Sequence, residues 1–376
     1  MLLTLVSDYK TEDRPYVNGF VHSRVLSYIA QGMPTEVFVL NKKKKKKVYK
    51  IEGVVVHVGN VDDLCHFVND QKVRNVCVHF LCAEMIDFFT RCKRSLNLLI
   101  FVHGNEALHW YQRVFPGILS SIRQFMSFIK YIFVNTYEIH VIKSFLKKTN
   151  HNCTFVTVSH WMMNAAELAW GCKGKFNWNI IPNIIDSARF PFVEKEPDNR
   201  FDLLSIRPFS TGKYANDITA KVIQKLSYKN YFEKISIKWI GAGRLYESCV
   251  KPVKKFKNVF LENRMLTQKE IPGYHKQSGI FICPTRQDAQ GVSMCEAMMS
   301  GLIPITLYNT AIPEFLPNNP LLICHSVDDM VSLIDRLISD PQLFVSLSKE
   351  CSAFIQNKCD YMNTTKKEIN LVMGFA

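Results

Sequence analysis

Asp288 and Glu296 stand in the segment 281–306, FICPTRQDAQGVSMCEAMMSGLIPIT, with seven residues between them. An apolar run ends at Pro284, a polar loop follows, and the pattern predicts a helix that begins near Val292 and stops at Gly301. Gly291 lets a ligand approach the backbone closely, and the unpaired N–H groups of 292–294 form a positive helix end suited to phosphate. A carboxylate repels phosphate, so the partner expected for Glu296 is a neutral pair of hydroxyls, such as those of a ribose, with Asp288 beside a sugar. A second pair of candidates lies in SIRPFSTGKYANDI, 205–218, where Arg207 and Lys213 follow another apolar run. Two cations placed there could neutralise the charge that grows on a departing phosphate. In isolation an Arg and a Lys in a loop are ordinarily surface charges; their position after a strand, together with the first segment, argues otherwise.

These residues need elements to position them. Apolar, β-branched runs alternate with amphipathic stretches along most of the chain, the pattern of parallel α/β sheets. Strands are expected at 2–7, 35–40, 53–58, 74–80, 96–102, 154–158 and 178–182. After a polar, Pro-containing stretch they resume at 201–206, 235–240, 258–262, 279–283, 303–307 and 321–324. Helices are expected at 20–31, 216–227, 292–300, 328–339 and 342–357. The reading is therefore a first α/β domain over 1–186, a linker at 187–200, a second α/β domain over 201–350, and a C-terminal helix over 351–376 that packs back on the first domain. Ligands of such sheets bind beyond the carboxyl ends of the strands, where Arg207, Asp288 and His103 all fall.

With 376 residues, 47% of them hydrophobic, the chain has material for two cores. A formal charge of +14 calls for a polyanionic partner: nucleic acid, an anionic membrane surface or a phosphorylated substrate. The twelve cysteines lack a C-x-x-C pair or zinc-ligand spacing, so they read as reduced thiols of a cytosolic protein. Neither a signal peptide nor a transmembrane run is visible. The run Lys42–Lys47 reads as a solvated loop. In 115–148, Ile118, Ile122, Phe125, Met126 and Ile129 form a helical stripe, with Arg123, Lys130, Lys143, Lys147 and Lys148 around it. Such a stripe is usually core, and its aromatic and basic richness also suits interfacial membrane contact.

The 281–306 segment resembles the signature of the retaining GT-B glycosyltransferases of family four, E-x7-E-A-M followed by Gly-x-P. Here it reads Asp288-x7-Glu296-Ala297-Met298, then Gly301 and Pro304 with two residues between them instead of one, and with Asp in place of the usual first Glu. Arg207 and Lys213 match the family's diphosphate-binding pair. Tyr16-Val17-Asn18-Gly19-Phe20 resembles its Gly-Gly loop with one glycine kept. His103 sits where the family carries a histidine close to the transferred sugar, and Ile181-Pro182-Asn183-Ile184-Ile185-Asp186 is similar to its I-P-N-G-V-D junction. The block 201–315 is most similar to bacterial surface-polysaccharide members.

The resemblance implies a GT-B fold, two Rossmann-like domains facing across an interdomain cleft, and retaining transfer of a sugar, UDP-linked, to a glycan or lipid-linked acceptor. Catalysis would fall to His103, Asp288, Arg207 and Lys213. Donor binding would fall to Gly19, Arg207, Lys213, Asp288, Gln290, Gly291, Val292 and Glu296. Without a D-x-D motif no metal or other cofactor is expected, the nucleotide-sugar being a substrate. The expected place is cytoplasmic, peripheral on the inner face of the plasma membrane, without nucleic acid as a partner. Two rival readings are an NAD-type oxidoreductase, from Gly241-Ala242-Gly243 after a strand, and a non-catalytic basic membrane adaptor. The first lacks the third glycine, has Pro252 in the following helix, and has no acidic residue at the expected distance.

Overall fold

The computed structural model describes residues 1–14, 17–41, 45–116 and 122–375, apart from the side chains of Arg123 and Phe375. Tyr16, Lys42, Lys43, Lys44, Ile118 and the Arg123 side chain lie outside the described residues. The chain forms two compact units: unit 1 comprises 1–112, 129–182 and 361–376, and unit 2 comprises 113–128 and 183–360.

Unit 1 is built on β1 (Leu2–Val6), α1 (Gly19–Ala30), β2 (Thr35–Leu40), β3 (Lys47–Ile51), β4 (Val54–Gly59), α2 (Val61–Asp70), β5 (Asn75–His79), α3 (Ala83–Arg91), β6 (Asn97–Phe101), α4 (Ile122–Lys148), β7 (Asn152–Thr157), α5 (His160–Trp170) and β8 (Asn177–Ile180). The first turns of α4 count with unit 2. Strand order is β3-β4-β2-β1-β5-β6-β7-β8, parallel except for β3 against β4. β1, β5 and β6 are almost wholly buried and mostly apolar, as parallel strands covered on both faces require, with Thr4 and His79 among their buried residues.

Unit 2 contains β9 (Asp202–Ile206), α6 (Asn216–Leu226), β10 (Ser236–Ile240), α7 (Tyr246–Val250), β11 (Val259–Glu262), α8 (Ile271–Lys276), β12 (Ile280–Ile282), α9 (Val292–Met299), β13 (Ile303–Ile305), α10 (Val327–Ser339) and α11 (Pro341–Cys359). Its sheet, β11-β10-β9-β12-β13, is parallel throughout. Both units are thus Rossmann-like. The order reverses between β1 and β5 in unit 1 and between β9 and β12 in unit 2, which makes those carboxyl ends the places for ligands.

Four expectations need correction. The basic run was expected to be all loop, but Lys47 opens β3, an edge strand whose exposed Lys and Val residues hid its alternation. Residues 321–324 are not a strand: Pro320 starts a 3-10 turn and the Asn319 side chain accepts from the Leu321 N–H at 3.1 Å. The 187–200 stretch is not a free linker, because Lys195 is buried, donating to the His275 carbonyl at 2.7 Å, and Arg200 Nε donates to the Ile338 carbonyl at 3.0 Å. A boundary at 350/351 would cut α11, which runs on to Cys359.

The last helix, α12 (Thr365–Phe375), belongs to unit 1 and packs on α1. Glu368 accepts from Arg24 Nε at 2.9 Å and from the Tyr28 hydroxyl at 2.6 Å, and all three groups are removed from water. Removing one partner of such a pair strands the other charge in a poor solvent. Glu368→Ala is therefore expected to destabilise unit 1 by about 3 kcal/mol in urea unfolding. A loss near zero would show that α12 is held by its apolar residues Ile369 and Val372 alone.

Candidate functional site

The unit 2 constellation forms around the reversal of strand order. Arg207 directly follows β9, and its N–H donates to the Ile240 carbonyl at 3.1 Å. Its guanidinium is buried: Nη1 donates to the Ser293 hydroxyl at 2.6 Å, Nη2 lies 4.0 Å from Asp288 Oδ2, and the Tyr214 ring lies 5.0 Å from the guanidinium carbon. Its Nε has no hydrogen-bond partner among the described residues. A buried, charged donor with an unmet hydrogen bond favours an anionic ligand.

Gly241 and Gly243 explain how the Arg207 loop lies so close to β10. A Cβ at Gly241 would come within 1.9 Å of the Arg207 carbonyl oxygen, and one at Gly243 within 2.4 Å of the Phe209 backbone. Here the glycines serve backbone-to-backbone packing, and the helix that follows, α7, has five residues. This accounts for the Gly-Ala-Gly turn without a dinucleotide.

Lys213 sits in a 3-10 turn, Gly212–Tyr214, strapped to the loop that follows β12. Its carbonyl accepts from the Arg286 N–H at 3.0 Å, while Arg286 donates through Nη1 to the Gly212 carbonyl at 2.7 Å and grips Asp217 through both guanidinium nitrogens at 2.8 and 2.7 Å. Burial lowers the Lys213 pKa; Asp288 opposes that effect, and the charges of Arg113 and Arg207 add to it. Cations accumulate here against one carboxylate, so the spot is electropositive.

Asp288 Oδ1 accepts from the Ala289 N–H at 2.9 Å and more weakly from the Gln290 N–H at 3.4 Å, and its own N–H donates to Thr310 Oγ1 at 3.1 Å. The carboxylate is thus fixed by its own loop and turned partly towards Arg207. Gln290 was expected to contact a donor molecule. Instead its side chain is saturated by Asn183, with Oε1 accepting from both Asn183 nitrogens at 2.7 and 3.0 Å and Nε2 donating to the Asn183 carbonyl at 3.0 Å. It clamps the 183 segment to the loop that precedes α9.

Gly291 caps α9 with φ 78°, and a Cβ there would lie 2.9 Å from Ile312 Cδ1. The positive φ is what favours glycine, since the Ile312 side chain can give way, and the first-turn N–H groups, beginning at the half-exposed Val292, have no side-chain cap. One turn further on, Glu296 carries a carboxylate with no side-chain partner among the described residues. Burial pushes it up to about 7, against the smaller opposing charge of Arg189. A half-buried acid without a donor is expected where a ligand brings the donor.

Gly19 and His103 belong to unit 1. Gly19 opens α1 behind Asn18, which adopts φ 49° and donates from Nδ2 to the Asp8 carbonyl at 2.8 Å. The next residue, Phe20, packs edge-on against the His103 ring at 5.1 Å, so the two predicted positions are neighbours. His103 Nε2 lies 3.1 Å from His79 Nδ1, Phe80 packs on the His103 ring, and the His103 N–H donates to Glu106 Oε1 at 2.7 Å. Burial, aided by the charge of Arg24, lowers His103 to about 3, so this is a neutral imidazole at any ordinary pH. The sequence reading missed Ser293, Arg286, Asp217, Thr310 and His79, all of which act through tertiary pairing.

Three comparisons bear on this geometry. A family model described as Glycosyl transferases group 1 matches residues 206–340. The matched segment is less than half of the chain. It contains Arg207, Lys213, Asp288, Gln290, Gly291, Val292 and Glu296, and leaves Gly19 and His103 outside. An uncharacterised glycosyltransferase of Haemophilus influenzae is 24% identical over 192 residues, 50% of this chain. The chain spans about half the length of this curated relative, 53%. Sucrose-phosphate synthase of Thermosynechococcus elongatus superposes with a TM-score of 0.71 at 13% identity, covering 99% of this chain and 97% of its own. A trehalose-6-phosphate protein of E. coli bound with UDP-2-fluoro glucose gives 0.63 at 10% identity, covering 99% of both. At these identities the structures establish the fold, which is GT-B: α/β with two Rossmann-like domains.

The raised pKa of Glu296 gives a signed expectation. The folded state holds a proton on Glu296 up to about pH 7, whereas the unfolded chain releases it near 4.5. Stability from this group is present below the unfolded value and is lost as pH rises through the folded one. Glu296→Gln should thus melt close to wild type at pH 5 and higher than wild type at pH 8. Parallel melting curves at both values would mean that the carboxylate is well solvated.

Proposed function

We propose that the chain transfers a sugar from a nucleotide-sugar donor to a glycan or lipid-linked acceptor, with retention of anomeric configuration and without a metal. The observation that carries this reading is the convergence, at one strand-end crevice of unit 2, of Arg207 bonded to the first turn of α9, of Lys213, and of the uncapped α9 N-terminus. Such a cationic cluster suits a diphosphate leaving group, and Glu296, with its carboxylate lacking a donor, suits the ribose hydroxyls. The fold it shares with a protein bound to UDP-2-fluoro glucose supports uridine as the nucleoside.

In this mechanism the cations and helix N–H groups stabilise the departing nucleoside diphosphate. Asp288 offsets part of the Arg207 charge and borders the sugar, and the neutral imidazole of His103 serves as a hydrogen-bond partner for a sugar hydroxyl. Gly19 permits close approach at the start of α1. No carboxylate is assigned as a nucleophile, so attack comes on the face from which the phosphate leaves, with that phosphate taking the proton of the acceptor hydroxyl.

The resemblance of 201–315 to surface-polysaccharide members supports that role. Net charge +14 and the exposed aromatic side chains of α4 support a place on an anionic membrane face, cytoplasmic and peripheral. Of the predicted stripe, Ile122, Phe125 and Met126 are exposed and Ile129 is half-buried. Among the described residues no helix is long and apolar enough to cross a membrane.

Two measurements test the transfer reading with a panel of nucleotide-sugars. Lys213→Ala is expected to lower kcat by about 100-fold or more with little change in folding, as loss of a preorganised charge at a leaving group does. A near-normal rate would remove Lys213 from the chemistry. Turnover should also persist in excess EDTA, and an absolute requirement for a divalent ion would overturn the metal-free mechanism.

A further inference from the structure

We propose that a cavity in unit 1, at the amino ends of β6 and β7, binds the phosphate headgroup of an anionic phospholipid at a bilayer surface. The inference rests on the membrane-face part of the reading above and does not use the donor site. The cavity, of about 650 Å3, is walled by the C-terminal turns of α3 and α4 and by the residues that lead into β7. His103 follows β6 at the opposite end of the sheet.

The chemistry of the lining is one-sided. Its floor is apolar, with Phe89, Val141 and Phe145, and His151 closes it with both ring nitrogens satisfied by the Leu96 N–H and the Phe89 carbonyl. Its mouth carries Lys93, Lys148, Thr149 and Asn150, and among the described residues no carboxylate lines it. Beside the mouth stand Arg94 and Lys147. None of these four cations has a carboxylate partner among the described residues, whereas nearby Arg91 is paired with Asp62 and Asp87.

A second observation comes from α4. Phe133 and Tyr137 are 72% and 60% exposed. They fall at helical spacing with the lining residues Val141, Ser144 and Lys148, and so share one face with the cavity mouth. Exposed aromatic rings leading to unpaired lysines match the layering of a bilayer interface, where rings sit at headgroup depth and ammonium groups meet phosphate. Lys147 and Lys148 would by themselves be explained by the negative end of α4. The C-terminal end of α3 gives Lys93 and Arg94 the same explanation, but neither helix end accounts for the cavity or for the exposed rings.

The test is co-sedimentation of the full chain with phosphatidylcholine vesicles, with and without phosphatidylglycerol, and calorimetric titration with dihexanoyl phosphatidate and with inorganic phosphate. Wild type should bind the phosphatidylglycerol vesicles and should bind dihexanoyl phosphatidate saturably, with inorganic phosphate at least tenfold weaker on the order expected when the apolar floor contributes. Lys93→Glu/Lys148→Glu should weaken vesicle binding by about 10-fold or more. Lys257→Glu/Lys269→Glu, the same charge change on exposed unit 2 residues, should weaken it much less. Val141→Trp fills the cavity without altering charge and should abolish the phosphatidate signal. Both unit 1 variants should retain transfer to a soluble acceptor. Equal losses in the two charge-reversal variants, or an unaltered phosphatidate titration with Val141→Trp, would overturn the cavity while leaving a diffuse membrane attraction. Wild type that ignores anionic vesicles would overturn both, and equal binding of inorganic phosphate would make the site one for free anions rather than lipid.

Discussion

The parallel pairing of β9 with β12 is the constraint on which the unit 2 site depends. Leu203 aligns with Ile280 and Leu204 with Phe281, so two strands distant in sequence end side by side. Their outgoing connections diverge, one towards α6 and the other towards α9, and it is at such an opening that ligands of open α/β sheets bind. Everything cationic in the site is delivered into that opening. Arg207 is the first residue beyond β9, Lys213 lies one short loop on, and the α9 N-terminus returns from β12. The glycine turn after β10 then fixes the height of the Arg207 loop, since it tolerates no Cβ beside the Arg207 carbonyl.

This logic explains what was legible in the sequence. Buried parallel strands are continuous β-branched runs, and β9, β10 and β12 announce themselves in that way. Once they are placed, the residues just beyond them are marked by position and need only a suitable charge. The Ser293 hydroxyl, the Arg286–Asp217 grip and the Gln290–Asn183 clamp carry no such mark. Each joins residues 69 or more apart in sequence, and each side chain would look equally at home in a solvated loop. Gln290 is the instructive case: its place in a motif loop suggested ligand contact, while its amide is spent on holding the loop itself. The failures in the fold have a similar origin. β3 is an edge strand that water covers on one side, so it lacks an apolar run, and 187–200 is polar in composition yet anchored by single buried groups such as Lys195.

The two units treat charge in opposite ways. In unit 1 the strand-end histidines are buried and kept neutral, and the Arg24 charge nearby is answered by Glu368. A neutral imidazole can donate or accept a hydrogen bond without adding charge, which suits contact with hydroxyls. In unit 2 the cations outnumber their partners, and Arg207 keeps an unmet buried N–H. In the proposed function, a sugar and a diphosphate would pose these two different problems, the first of direction and the second of charge.

Glu296 is the residue of unit 2 whose placement costs stability. Its burial raises its pKa towards neutrality and works against folding at higher pH, with no protein donor to offset the cost. A stability-driven choice at this position on α9 would be an apolar residue or an acid given a partner. An acid left half-buried and unpartnered, one turn from an uncapped helix N-terminus, is instead the arrangement expected when a ligand supplies phosphate to the helix end and hydroxyl donors to the acid together. In the proposed function the spacing between Gly291 and Glu296 would match a phosphate at the helix terminus and a hydroxyl pair about one and a half helical turns, roughly 7 to 8 Å, along the axis.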